Sequence, residues 1–77
     1  MSPQDKINLG YAAATLLEDP AYKAAVERYE ADLFRRWKDA TELSTREALW
    51  AECQALTGVT ARLGTLRTDG AVARNRT

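Results

Sequence analysis

Histidine is absent from this chain, cysteine occurs once, and proline only twice in 77 residues. Without histidine, the commonest general acid or base is missing. The lone thiol, Cys53, has no partner for an internal disulfide, and with no histidine beside it composes no zinc site. Net charge is absent too, since eleven Lys and Arg balance eleven Asp and Glu. Bulk charge therefore gives no hold on a polyanion. No apolar run approaches the roughly 20 residues of a membrane span. Met1-Ser2-Pro3-Gln4-Asp5 lacks the basic and apolar stretches of an export signal, so the expected setting is a reducing cytoplasm. Neither a phosphate-binding glycine loop nor a calcium loop occurs. These absences predict a protein with no catalytic site, cofactor or metal, acting through its surfaces.

What is present is helix punctuation. Both prolines sit one residue after a capping side chain, Ser2-Pro3 and Asp19-Pro20, the arrangement that opens a helix. Ser2 begins a short helix running to about Glu18, with Ile7, Tyr11, Ala14 and Leu16 or Leu17 along one stripe; Gly10 weakens it. Asp19 ends that helix, because the residue before proline is driven out of the helical region. A second helix follows from Pro20 to about Ala40, its core stripe Tyr22, Val26, Tyr29, Leu33 and Trp37. Lys23 with Glu27, and Asp32 with Arg35 or Arg36, fall at supporting spacings on its polar face.

Thr41-Glu42-Leu43 reads as a link short enough to return the chain antiparallel. Ser44-Thr45-Arg46-Glu47 reads as a capping box opening a third helix over Thr45 to about Arg67. Its seam is Leu49, Cys53, Leu56, Thr60, Leu63 and Arg67, a heptad rhythm in which polar Thr60 and Arg67 would set register. Gly58 and Gly64 mark a kink, an early end near Thr57 or a close helix crossing, with a continuous helix preferred. Asp69-Gly70 reads as a stop. The expected fold is all-α, an antiparallel helical hairpin with a short N-terminal helix. Residues 1–70 form one domain, in which the first helix doubles back to cover Leu63 and Leu66, and residues 71–77 form a flexible basic tail.

Several apolar residues fall off these stripes. Phe34 and Trp50 point away from the expected core at nearly the same height along the hairpin and, with Trp37, compose an interface patch. Ala48, Ala55, Val59 and Leu66 form a second apolar strip on helix three. The alternative is that helix one, or a splayed hairpin, covers them within the monomer. Charge is also uneven: residues 1–56 hold ten acids and seven bases, whereas residues 57–77 hold Asp69 against Arg62, Arg67, Arg74 and Arg76. Those four arginines would seat on an acidic neighbour or, less favoured, on phosphates. Arg35, Arg36 and Lys38 flank Trp37, but neighbouring acids make that a solvated face.

The segments LLEDPAYKAAVERYEADLFRRWKDA and TREALWAECQALTGVTARLGTL resemble small helical proteins encoded among the virion and packaging genes of tailed bacteriophages. The shared features are Leu16 to Tyr22 at the start, Trp37 near the turn, and Arg46 to Trp50 opening the second arm. The resemblance implies no catalytic residue. It implies a phage-borne assembly protein made in bacterial cytoplasm and repeated around a portal, capsid or tail, with itself or another virion protein as partner. The alternatives are a small phage protein that blocks a host protein, and a nucleic-acid-binding accessory factor.

Overall fold

A computed structural model of the chain describes residues 1–76. It contains three helices: α1 (Pro3–Glu18), α2 (Pro20–Asp39) and α3 (Leu43–Asn75). The capping signals at both prolines are realised. Ser2 Oγ accepts from the Asp5 amide at 3.1 Å while the Asp5 carboxylate accepts from the Ser2 amide, a reciprocal box. Asp19 serves two helices at once. Its amide donates to the Leu16 carbonyl and closes α1, and its carboxylate accepts from the Tyr22 amide at 2.8 Å and opens α2. Its backbone is extended, as the following proline requires.

The start of α3 departs from expectation. The helix begins at Leu43, with Glu42 at the cap position and no side-chain cap. Ser44 and Glu47 lie inside the helix, and no capping box forms there. Carrying the helix back through Leu43 makes the bond from the Arg46 amide to the Glu42 carbonyl its first intrahelical one, and the amides before Arg46 gain no side-chain acceptor from the cap residue. The far end departs as well. Gly58 and Gly64 are helical without a break, and Asp69-Gly70 is no stop, since the helix continues to Asn75. Most of the expected tail is therefore helix, with Ala71 and Ala73 half-buried; Thr77 lies outside the described residues.

Gly70 is buried because α1 crosses there. A Cβ built on Gly10 would lie 2.8 Å from the Gly70 Cα and 3.1 Å from the Leu66 carbonyl oxygen; one on Gly70 would lie 2.8 Å from both the Gly10 Cα and the Lys6 oxygen. Two glycines thus meet backbone to backbone. Pairing of Lys6 with Gly70, and of Pro3 with Val72 to Arg76, sets α1 antiparallel to α3. Helix α1 packs closely on α3 and hardly touches α2. It covers the second half of α3 by running on from α2, not by doubling back. Further along, Tyr29 Oη donates to Glu52 Oε2 at 2.9 Å, and Leu33 and Leu49 are both buried. These contacts are consistent with a helical hairpin, one arm being α3 and the other divided into α1 and α2 at Asp19.

The core is thin. Among the described residues, Leu33 is the one large side chain fully buried, joined in the core by Leu49, Ala13 and the two crossing glycines. Leu49 and Gly70 stand three heptads apart with Leu56 and Leu63 between them, one continuous inward row. Thr60 is satisfied within its own helix, its hydroxyl donating to the Leu56 carbonyl at 3.2 Å. The molecule extends 54 × 24 × 14 Å. Its thin dimension is close to the roughly 10–12 Å diameter of a single helix, so the broad faces have no second layer on them.

Candidate interaction groove

Three of the aromatic residues singled out from sequence converge. Phe34 and Trp37 are one turn apart on α2 and stack, with centroids 6.3 Å apart and planes at 20°. The Arg46 guanidinium, from the first turns of α3, lies 4.0 Å from the Trp37 ring centroid. Trp37 therefore contacts both Phe34 on its own helix and a cation from the next, the latter a cation–π contact. Trp50 and Cys53 on α3 complete an apolar cleft of about 230 Å³ with Phe34 and Trp37. A second cleft of about 350 Å³ adjoins it around the link, lined by Trp37, Leu43, Arg46, Glu47 and Trp50. Phe34 and Trp50 remain 60% and 61% exposed. Neither α1 nor the hairpin's own closure covers them, so the monomer does not absorb this patch.

The other apolar strip divides. Leu66 is half-buried at the crossing with α1, where its carbonyl faces Gly10, whereas Ala48, Ala55 and Val59 stay exposed. By helical period these three lie away from Trp50 and Cys53, so α3 presents apolar residues to both sides of the hairpin plane. The four arginines do not form one patch. Arg62 Nη1 donates to the Gly58 carbonyl at 3.3 Å, the Arg74 guanidinium lies 5.1 Å from the Tyr11 ring centroid, and Arg76 lines a cleft with Lys6 and Asp69. Arg67 is exposed and shares a helix side with Arg74, seven residues on. On α2, Arg35 and Arg36 both pair with Asp32, as expected from spacing, while Lys23 reaches back to Glu18 at 3.1 Å rather than forward to Glu27.

Sequence reasoning missed Arg46 and Leu43. Arg46 reads as part of a cap in sequence, yet it follows Trp37 across a three-residue link and so returns beside it. Leu43 reads as part of the link in sequence, but it opens α3 and is largely exposed at the mouth of the groove. Among the described residues, no group of three or more Cys, Asp or Glu side chains is placed to hold a metal ion. Among the described residues, no helix is long and apolar enough to cross a membrane either. Among the described residues one ionisable group is displaced: the Glu52 carboxylate, accepting the hydrogen bond of the Tyr29 hydroxyl, raises that phenol above its ordinary pKa of 10.0. No protein-family model matches the chain, and neither a curated protein nor a solved structure matches it.

Proposed function

We propose that the chain is a non-enzymatic docking piece that takes part in protein assembly through the groove between α2 and α3, as a component of a bacteriophage particle. The observation that carries the docking part is the groove itself: an apolar cleft with two large aromatic rings standing mostly in water. Trp and other aromatics at the centre of such a patch dominate binding energy when a partner desolvates them. Arg46 and Glu47 line the adjoining cleft, and charged groups at the edge of an apolar patch suit the polar rim of a protein interface. The phage part rests on the resemblance of Leu16 to Tyr22 and Arg46 to Trp50 to small virion-cluster proteins. The dispersal of the arginines favours a protein partner over nucleic acid.

Two measurements test the reading. Purified particles of a phage carrying this gene should contain the chain by mass spectrometry; its absence there, with capture on a bacterial host protein instead, would replace assembly by inhibition of a host target. Trp50→Ala should impair association while leaving the helical content and thermal midpoint of the isolated chain nearly unchanged. An equal loss of both would assign Trp50 to core packing and remove the groove as an interface.

A further inference from the structure

The occupant of the groove is the next question, and the shape of the molecule answers it more specifically than the groove does. The chain exposes 5783 Å², whereas a compact monomer of 8.6 kDa exposes about 4,700 Å² by surface–mass scaling. Its radius of gyration is 16.4 Å, against about 11–12 Å for a compact domain of this length. The excess surface, about 1,100 Å², is comparable to the roughly 800 Å² that each partner buries in a standard interface. Folded domains place at least two layers of structure around a core, and here there is one.

The charges say how a second layer would lie. The end that carries the link, residues 27–56, holds seven acids against five bases; the remainder, which forms the other end, holds four acids against six bases. Two copies laid side by side in opposite directions match each end with its complement, and parallel copies do not.

The apolar residues agree with that direction. Trp50 lies seven residues into α3, about 11 Å from its start, and Gly70 lies five residues, about 8 Å, from its end at 1.5 Å per residue. The two positions are therefore nearly equidistant from the helix midpoint. Tyr11 adjoins Gly10 at the Gly70 crossing and is exposed. Arg74, which sits over Tyr11, follows Cys53 by three heptads and so projects from the groove side of α3. A twofold axis at mid-length thus brings an exposed aromatic ring level with an apolar groove, twice. A cavity of about 150 Å³ accommodates benzene, so a cleft of about 230 Å³ admits one aromatic side chain.

We infer that the groove takes a second copy of this chain, packed antiparallel on the same broad face, with the partner's Tyr11 entering the cleft of Phe34, Trp37, Trp50 and Cys53. This rests on the groove being a docking surface. It commits the partner to self, the stoichiometry to two and the direction to antiparallel. The result is a two-layered helical body with both aromatic clusters covered.

Sedimentation equilibrium of the full chain from low to high micromolar concentration should give the mass of two copies. Trp50→Ala and Tyr11→Ala should each weaken the dimer by about thirtyfold or more, as a truncated interface anchor does, with helical circular dichroism retained. Should either variant fail to fold, the unsubstituted chain supplies the test. Tryptophan emission should shift to the red as the dimer is diluted apart. Mild oxidation should form no Cys53–Cys53 bridge, because the antiparallel arrangement holds the two thiols about 20 Å apart along the axis.

A ready Cys53 disulfide would overturn the direction, as would a dimer indifferent to both substitutions. A single copy at every concentration, with both indoles freely quenched by acrylamide, would overturn the dimer and leave the groove open to a different protein. A single copy with sheltered indoles would overturn the docking reading as well.

Discussion

At the residue scale, the four glycines of this chain do different work. In a helix interior glycine costs about 1 kcal/mol relative to alanine, so each Gly→Ala exchange should stabilise unless space forbids it. At Gly64 nothing lies within 4 Å of an added Cβ, and Gly64→Ala should raise stability by about 0.5–1 kcal/mol. At Gly10 and Gly70 the added carbon meets backbone at 2.8 Å, and backbone cannot turn aside as a flexible side chain does. Gly10→Ala and Gly70→Ala should therefore lower the thermal midpoint although both favour helix. Thermal melts of the three variants side by side check this; a rise at all three would mean that the crossing is not close. Tyr29 offers a second residue-scale test. Its phenol is raised by the hydrogen bond to the Glu52 carboxylate, so the folded state binds that proton more tightly than the unfolded one. The associated stability is full below about pH 10, the ordinary tyrosine value, and is lost as pH rises through the raised value. Chemical denaturation between about pH 8 and about pH 11, either side of the ordinary tyrosine value, should show a decline that Tyr29→Phe reduces.

At the element scale, caps distinguish the sequence pattern from the realised helix. Asp19 opens α2 with a side-chain bond to the Tyr22 amide, and Asp19→Ala should cost about 1 kcal/mol. Ser44 resembles a cap equally well in sequence, yet lies within α3 and caps nothing. Ser44→Ala should accordingly be neutral or slightly stabilising, because alanine is the better interior residue. Urea denaturation of the two variants compares them directly, and a loss at Ser44 equal to that at Asp19 would restore the capping box. The three helix bodies were legible because their signals are local: proline fixes the first turn, and apolar spacing follows the helical period. The ends of α3 were not. Whether Gly70 stops a helix or sits in one depends on what packs against it, and α1, sixty residues earlier in the chain (Gly10), supplies that contact.

At the scale of the whole molecule, a thin core makes stability and association one problem. With Leu33 the one large side chain fully buried among the described residues, a single copy has little apolar burial to offset the entropy of ordering its helices. Any copy that binds only the folded form adds to its stability by mass action. The thermal midpoint should therefore rise as the chain is concentrated, which calorimetry at two concentrations measures. A constant midpoint would describe a monomer that stands on its own. The elongated outline also explains why the groove survives: α1 is laid out along α3 at the opposite end from Phe34 and Trp50, and no other element is left to cover them.

The chain's own order of residues was sufficient for the helix number, the breaks at Asp19 and near Thr41, the pairing of Asp32 with its arginines, and the convergence of Phe34, Trp37 and Trp50. Each follows from spacings of a few residues, which helical geometry converts directly into position. Contacts between distant segments decided the rest. The approach of Gly10 to Gly70, the helical state of residues 71–75, the burial of Leu66 beside α1 and the seating of Arg46 on Trp37 depend on how helices lie against one another. That is a property of summed packing between surfaces, which no single stretch of residues specifies.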